Sequence, residues 1–224
     1  MPLDNKVDNI TFSGNPHIVV VGAGAMGCYF GGMLINSGQK VTLIDIDKDQ
    51  IDIINRQGLT LETDDGVFCL KAKSSLAEEV NLTADLIILF TKTMHSSHAM
   101  DSVKHLITKK TVVLSLQNGL GNIEKLTQYV DSEYVVIGTT LLPVDLKGVG
   151  YVRSNGPSYS KIMDASLKKP KWLSELGILL NKASLTSYID SEILSAIWSK
   201  AAFNAALNSI CAITGSAPRG LSAH

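Results

Sequence analysis

The chain has 224 residues, of which 45% are hydrophobic, an ordinary proportion for a globular protein with a buried core. Its formal net charge is −1, so it has no broad basic field that would hold nucleic acid or an anionic membrane. The sequence shows neither a signal-peptide pattern nor an apolar run of about 18 residues. We therefore expect a soluble cytoplasmic protein that binds neither nucleic acid nor a membrane.

The cysteines and histidines predict no cross-link and no metal site. Cys28, Cys69 and Cys211 lie far apart and form no CxxC pair. An odd and sparse set is typical of reduced thiols rather than of a disulfide framework. The five histidines form no convincing metal set, and His95 and His98 share no carboxylate or cysteine at ligand spacing, so we expect no bound metal.

The first half of the chain alternates strand and helix patterns. Short runs rich in β-branched residues are typical of buried parallel strands, and periodic stretches that end at a glycine are typical of helices. After a leader at 1–15, which we expect to be loose, the predicted elements are a strand at 17–21, a helix at 25–37, a strand at 41–44, a helix at 48–57, a hairpin of 59–61 with 67–70, and a strand at 86–90.

The second half continues this alternation. The predicted elements are a helix at 96–107, a strand at 111–116, a helix to about residue 130, a strand at 135–138, short β-like pieces at 150–153 and 159–162, a helix at 172–181, and an edge strand at 185–188. Strands that alternate with helices predict an α/β fold, here a Rossmann-type doubly wound parallel sheet over residues 16–189.

The last segment has a different character. Ser191–Thr214 is one long and mostly apolar helix pattern, which Asp190 or Ser191 would cap and Gly215 would end. A helix that is apolar on most of its surface needs a partner against which to bury it. We therefore assign residues 190–224 to the first helix of an all-helical C-terminal domain, truncated in this chain.

The first predicted strand and helix are joined by a turn with G-x-G-x-x-G spacing, Gly22-Ala23-Gly24-Ala25-Met26-Gly27. The motif is weak alone, but a strand before it and a helix after it favour dinucleotide binding. Gly22 permits the tight turn, Gly24 lets a pyrophosphate approach, and Gly27 lets the helix pack on the strand. Backbone N–H groups of this turn would hold the phosphates, although a glycine turn without a ligand is the alternative.

Asp45 ends the second predicted strand, at about the spacing of 20 residues from the glycine turn that a ribose-binding acid has. Its carboxylate would accept hydrogen bonds from the ribose hydroxyls and repel a 2′-phosphate, which favours NADH over NADPH. Asp47 adds negative charge, and Lys48 partly offsets it. The alternative interpretation is that Asp45 only starts the following helix.

Two further polar residues follow predicted strands. Ligands of open α/β sheets bind beyond the carboxyl ends of the strands, where Lys92 and Asn118 are expected. Taken alone, a lysine such as Lys92 is more often a surface residue. Asn118 precedes Gly119, and turn chemistry explains that pair equally well.

The long helix carries a polar row. Lys200, Asn204 and Asn208 are spaced i, i+4, i+8, so they share one face, and their neighbours are apolar. Burying them without partners is costly, and a cleft with a polar substrate would supply partners. A desolvated lysine has a lowered pKa and can donate a proton near neutral pH. The alternative is a polar stripe that faces water.

Three segments together resemble the ketopantoate reductase (2-dehydropantoate 2-reductase) family: IVVVGAGAMGCYFGGML, LSLQNGLGN and IWSKAAFNAALNSICAITG. The first is shared with many dehydrogenases, whereas the other two are more specific, and the resemblance spans about residues 16–215. It implies an oxidoreductase that transfers a hydride from a nicotinamide cofactor to a 2-keto acid and gives a D-2-hydroxy acid such as pantoate.

The resemblance also implies residue roles. Lys200 corresponds to the family's general acid, which protonates the carbonyl oxygen. Asn204 and Asn208 would hold the hydroxyl and carboxylate groups of the substrate. Asn118 would orient the nicotinamide and the substrate, and Lys92 would contact the cofactor or the substrate.

Two features depart from the family pattern. The family usually uses NADPH and has a basic residue where this chain has Asp45, which resembles the NAD-dependent D-2-hydroxyacid (D-mandelate-type) dehydrogenases instead. Family members also continue into a helical portion that supplies a catalytic glutamate and most of a dimer interface. We therefore expect NAD(P)H, with NADH favoured by Asp45, and a homodimer through the helical domain. The alternatives are a D-mandelate-type dehydrogenase and a catalytically silent dinucleotide-binding fragment.

Overall fold

The computed structural model describes residues 10–12, 14–156 and 158–215, which form two sheets and the helices around them. The strands are β1 (His17–Val21), β2 (Lys40–Ile44), β3 (Leu59–Thr63), β4 (Gly66–Leu70), β5 (Lys73–Ser75), β6 (Leu86–Leu89), β7 (Val112–Ser115), β8 (Val135–Leu141), β9 (Asp145–Gly148), β10 (Tyr151–Arg153), β11 (Tyr159–Asp164) and β12 (Ser187–Ile189). The helices are α1 (Ala25–Asn36), α2 (Lys48–Gln57), α3 (Ser96–Val103), α4 (Asn122–Leu126), α5 (Lys171–Lys182) and α6 (Ile193–Thr214).

The larger sheet has the strand order β12-β11-β8-β7-β6-β1-β2-β5. All neighbouring strands from β8 to β5 are parallel, β11 is antiparallel to β8, and β12 is parallel to β11. The sheet is therefore the predicted doubly wound Rossmann type, with an antiparallel addition at one side. The chain leaves β1 for β2 on one side and returns to β6 on the other, so the switch point lies between β1 and β6.

The register of the central strands determines where the polar residues that follow each strand lie. Val21 of β1 lies opposite Ile44 of β2 and Leu89 of β6, and Leu89 lies opposite Ser115 of β7. Four parallel strands therefore end at the same level, and the residues that follow them share one edge of the sheet. The strands hold this position because their β-branched and leucine side chains are buried on both faces, as in Ile18 and the run 86–89.

The smaller sheet has the order β4-β3-β10-β9. The predicted hairpin is confirmed as β3 and β4, which are antiparallel, and β10 joins β3 in parallel with Tyr151 opposite Thr60. Helix α1 contacts β2 of the larger sheet and β3 and β10 of the smaller one. The two sheets are thus held together through α1.

Some predicted boundaries are wrong. Helix α4 ends at Leu126 rather than near residue 130. Beyond it, the amide of Tyr129 donates to the carbonyl of Leu126, which closes a three-residue turn, and the hydroxyl of Thr127 donates to the carbonyl of Ile123. Strands β5 and β9 are polar and carry no strand pattern, so the sequence analysis missed both.

The leader is also less loose than expected where it is described. Ile10 and Phe12 are buried in the core, and the ring of Phe12 meets that of Trp172 edge-on at 6.2 Å. The backbone amide of Phe12 donates to the carboxylate of Glu175 at 2.9 Å. Residues 1–9 and 13 of the predicted leader, and 216–224 of the predicted terminal segment, lie outside the described residues.

The long helix forms and ends before Gly215 as predicted, but it begins at Ile193, with Glu192 rather than Asp190 or Ser191 at the N-cap position, and it stays largely uncovered. Only Ile193 of α6 is buried, whereas Trp198 and Phe203 are each 63% exposed among the described residues. The helix contacts β8 and β11. Within the described part of the chain, no helix combines the length and the hydropathy that crossing a bilayer requires. Assignment of α6 to a second domain stays a prediction.

Candidate functional site

The glycine turn leaves β1 at the switch point. Gly22 has a φ of +96°, and its amide donates to the carbonyl of Ile44 at 2.8 Å. A Cβ on Gly27 would lie 1.9 Å from the carbonyl oxygen of Gly22, so the start of α1 touches the turn backbone. A Cβ on Gly24 would meet nothing within 4 Å. The space above Gly24 is therefore an open cradle that a side chain would fill.

Side chains from the β2–α2 segment hold the peptide of Ala23. The amide of Ala23 donates to Oδ2 of Asp45 at 2.6 Å, and its carbonyl accepts from Nε2 of Gln50 and from Sγ of Cys28. Burial raises the pKa of the Cys28 thiol to about 12, so this thiol stays protonated and can donate. Gln50 is itself buried, and the sequence analysis did not identify it.

The carboxylate of Asp45 also accepts hydrogen bonds from other backbone amides. Its Oδ1 accepts the amides of Ile46 at 2.8 Å and Asp47 at 3.1 Å. Helix α2 is capped by Asp47, whose carboxylate accepts the amides of Asp49 and Gln50. The role of starting the helix, which was the alternative for Asp45, therefore belongs to Asp47.

A cleft of about 730 Å³ extends from the glycine turn, within the usual size range for ligand pockets of about 300–1,000 Å³. Gly24 and Asp45 line it, with Glu78 after β5 and Lys92 after β6. Lys92 is the only lysine or arginine among the described residues that line this cleft. The open cradle at Gly24, next to the half-buried start of α1, fits the diphosphate of a dinucleotide.

A second cleft of about 360 Å³ adjoins the first, because Phe90, Thr91 and Lys92 line both. Asn118 and Lys200 also line the second cleft. The structure thus brings three of the predicted site residues to one place, although they come from the β6 end, the β7 end and α6.

Lys200 is half-buried there. Its Nζ donates to the backbone carbonyl of Thr140 in β8 at 2.7 Å. Burial lowers the pKa of the Lys200 ammonium from its ordinary value of 10.5, because desolvation disfavours the charged form. A lysine with this pKa direction is suited to giving up a proton.

The loops that carry Lys92 and Asn118 are tied together by Gln117, which the sequence analysis did not single out. Its Nε2 donates to the carbonyl of Thr91 and to Oγ of Ser96, and its Oε1 accepts the hydroxyl of Ser115 at 3.0 Å. The side-chain amide therefore links the ends of β6 and β7 to the start of α3. Its position beside Asn118 in sequence was the one available signal.

Asn204 and Asn208 are not brought to this cleft. Asn204 is half-buried and Asn208 is exposed, and neither lines the cleft of the glycine turn or the second cleft. They continue the row of Lys200 along α6, at about 6 Å per four residues. Their substrate-binding role stays a prediction.

A cavity of about 160 Å³ lies between α4 and α6 and shares Asn118 and Lys200 with the second cleft. Asn122, which the sequence analysis did not identify, also lines it. No group of three or more His, Cys, Asp or Glu side chains able to hold a metal ion is found within the described ranges.

The chain is similar to a known family. The family model described as ketopantoate reductase PanE/ApbA matches residues 18–166. A 2-dehydropantoate 2-reductase of Streptococcus pyogenes serotype M6 is 33% identical over 196 residues, which cover 88% of this chain and 64% of that protein. A 2-dehydropantoate 2-reductase of Pyrococcus abyssi is 33% identical over 194 residues, 86% of this chain and 62% of that one.

Solved structures of other proteins are also similar to this chain. D-mandelate dehydrogenase in a ternary complex with NADH and anilino(oxo)acetate has a TM-score of 0.84 and 33% identity, covering 89% of this chain and 64% of that one. A putative 2-dehydropantoate 2-reductase from Enterococcus faecalis has a TM-score of 0.78 and 32% identity, with coverage of 89% and 64%. The chain thus spans just under two thirds of the length of these relatives.

Proposed function

Because this chain belongs to the ketopantoate reductase family, we propose that it reduces a 2-keto acid to a 2-hydroxy acid with a nicotinamide cofactor. The observation that carries the proposal is the position of Lys200. A half-buried lysine with a lowered pKa lines a cleft with Asn118, and that cleft adjoins the cleft of the glycine turn.

The glycine turn would hold the diphosphate of the cofactor. The amide of Ala23 is already bound to Asp45, so amides at the start of α1, such as those of Ala25 and Met26, would donate to the phosphate oxygens. Lys92 lines both clefts and would contact the cofactor or the substrate. When bound, NAD(P)H supplies the hydride that reduces the keto carbon.

Lys200 would serve as the general acid. Its Nζ gives a proton to the carbonyl oxygen as the adjacent carbon is reduced, which leaves a hydroxyl on the product and a neutral amine on Lys200. Asn118 would orient the substrate beside it. Asn204 and Asn208 would contact the hydroxyl and carboxylate groups of the substrate, as the family pattern implies.

The proposal is tested by Lys200→Ala. Loss of a general acid costs about 10²- to 10⁴-fold in rate, so turnover of a 2-keto acid with NADH should fall by at least about 100-fold. Dinucleotide affinity, measured by calorimetry, should stay the same, because the glycine turn is intact. Lys182→Ala, an exposed lysine at the end of α5, is the matched control. Unaltered turnover in Lys200→Ala would remove this residue from the mechanism.

A D-mandelate-type dehydrogenase is the second candidate. Asp45 and Glu78 both line the cleft that would take the adenosine half of the cofactor, and their negative charges favour NADH. The D-mandelate dehydrogenase with the similar structure binds NADH. Assays of ketopantoate, branched 2-keto acids and benzoylformate, with NADH and NADPH in parallel, separate the two candidates. Nucleotide binding without oxidation of NADH or NADPH by any of them would indicate a silent binding module instead.

A further inference from the structure

The loops that follow β6 and β7 are joined by a side chain at the point where the strand ladder stops. Backbone pairing between the two strands ends with Leu89 opposite Ser115. Thr91 and Gln117 each lie two residues farther along the chain, and there Nε2 of Gln117 donates to the carbonyl of Thr91. The side-chain amide therefore continues the link between the strands into the loops that border the second cleft.

The hydrogen-bonding groups of the Gln117 side chain are all used inside the protein. Its Oε1 accepts the hydroxyls of Ser115 at 3.0 Å and of Ser96 at 3.1 Å, and its Nε2 donates to Oγ of Ser96 at 3.0 Å as well as to Thr91. Ser96 and Ser115 are buried, so water does not compete for these bonds. Gln117 lines the second cleft, but it has no polar group left for a ligand and acts through the groups that it holds.

The groups that it holds lie directly beside two predicted site residues. Gln117 precedes Asn118, and Thr91 precedes Lys92, and both of these site residues line the second cleft. A further bond joins the same loops, because the hydroxyl of Thr93 donates to the carbonyl of Asn118 at 2.6 Å. The spacing between Asn118 and Lys92 across the cleft is therefore set by contacts between the two loops.

We propose that Gln117 is a positioning residue, whose side-chain amide holds the loops after β6 and β7 at the separation that lets Asn118 and Lys92 reach one ligand together. This inference rests on the proposed reductase function and deepens it. Misplacing an orienting group by about 1 Å costs about 100-fold in rate. Loss of the amide should therefore act on the chemical step, while the glycine turn, which Gln117 does not contact, keeps its hold on the cofactor.

Gln117→Met is the first test, because methionine has a similar length and lacks the amide. We expect kcat for reduction of a 2-keto acid with NADH to fall by at least about tenfold. The Kd of NADH, measured by calorimetry, should change by less than about threefold, since the diphosphate site is intact. A loss in kcat without a matching loss in cofactor affinity is the result that a positioning role requires.

Thr111→Val is the matched control. The hydroxyl of Thr111 donates to the carbonyl of Ala84 at 2.6 Å, which links the same two strands at the opposite edge of the sheet, and Thr111 is buried. Both variants should lower the melting temperature, because each leaves a carbonyl without its side-chain donor. Only Gln117→Met should lose kcat, since Thr111 lies far along the strands from the clefts.

Gln117→Glu makes the same change dependent on pH. A carboxylate only accepts hydrogen bonds and leaves the carbonyl of Thr91 without a donor, whereas a protonated carboxyl has an O–H group that donates. Gln117 is half-buried, and burial raises the pKa of a carboxyl. The kcat of Gln117→Glu, as a fraction of that of the unaltered chain at the same pH, should rise as pH falls from about 8 to about 5, while the fraction for Gln117→Met stays level. This comparison decides the question even where Gln117→Met does not fold.

Three results would overturn the inference while leaving the reductase function intact. They are a kcat of Gln117→Met within about threefold of the unaltered value, an equal loss of kcat in Thr111→Val, and a fraction for Gln117→Glu that does not rise at low pH. If the unaltered chain reduces no 2-keto acid with NADH or NADPH, the reductase function falls together with this inference.

Discussion

At the residue scale, Asp45 combines two tasks that a sequence pattern does not separate. Asp45 lines the cleft of the glycine turn, where its charge would act on a cofactor, and its oxygens hold the amides of Ala23, Ile46 and Asp47. An arginine at this position would remove both the charge and the acceptor for Ala23. Asparagine removes the charge and keeps one of the two acceptor oxygens, so it disturbs the backbone contacts less than arginine does.

We expect Asp45→Asn to raise the ratio of kcat/KM with NADPH to that with NADH, because the repulsion of a 2′-phosphate is weakened. Asp45→Arg should raise this ratio further but also lower the free energy of unfolding by about 1–3 kcal/mol, since the buried Ala23 amide loses its partner. Steady-state assays and denaturant unfolding measure the two effects. Asp52→Asn, exposed on α2, is the control. An unchanged cofactor ratio in both variants would contradict the assignment.

The proposed role of Lys200 as a general acid predicts that turnover depends on pH. A general acid works only while it is protonated, so turnover should decline as pH rises through the pKa of Lys200. Burial lowers this pKa below 10.5, and the decline should therefore begin at a lower pH than an ordinary lysine would allow. In Lys200→Arg, which does not titrate in this range, the decline should disappear and turnover should be reduced. A pH–rate profile of kcat that is flat in the unaltered chain would argue against the role.

At the element scale, the two inner glycines of the turn 22–27 have opposite surroundings. A Cβ at Gly27 would strike the backbone of Gly22, whereas a Cβ at Gly24 would enter open space. The same substitution to alanine therefore separates a glycine that is needed for packing from one that is needed for ligand approach.

We expect Gly27→Ala to lower the free energy of unfolding by about 1–3 kcal/mol, because the start of α1 must move away from the turn. Gly24→Ala should leave that free energy almost unchanged and weaken NADH binding by at least about tenfold. Thermal unfolding and calorimetry measure the pair. Undiminished NADH affinity in Gly24→Ala would show that the diphosphate lies elsewhere.

The elements that sequence reasoning predicted well share a physical basis. β1, β6 and β7 are continuous runs of β-branched and leucine residues, and such runs are stable only when both faces are covered. β5 and β9 were missed because their residues are polar. They are strands through pairing with β2 and β10, and only β5 has buried side chains, those of Ser74 and Ser75.

At the scale of the whole molecule, the candidate site was predictable in parts. The glycine turn, Asp45 and Lys200 stand out in sequence because each belongs to a recognisable motif. Gln50 and Gln117 do not, since the backbone groups to which they donate come from distant parts of the chain and are brought close only by the fold. Local patterns therefore identify the residues that face ligands more readily than those that hold them in place.

The uncovered helix α6 has a consequence for the whole molecule. Trp198, Phe203 and Ile213 are 63%, 63% and 84% exposed among the described residues, and large apolar side chains at one surface favour association. We expect this chain to self-associate in a concentration-dependent way, in line with the homodimer predicted through the helical segment. Sedimentation velocity over a range of concentrations measures it.

The double variant Phe203→Lys with Ile213→Lys should shift the sedimentation toward monomer. Its melting temperature at low concentration should change little, because neither side chain contributes to the core. Tyr188→Lys, an exposed aromatic residue on the edge strand β12, controls for a general loss of surface hydrophobicity. If the unaltered chain remains monomeric at all concentrations, or if the control disperses it equally well, α6 does not provide the contact surface. Dispersal by the α6 variant alone would instead locate association on the helix that carries Lys200, and the site would then adjoin the contact between two copies.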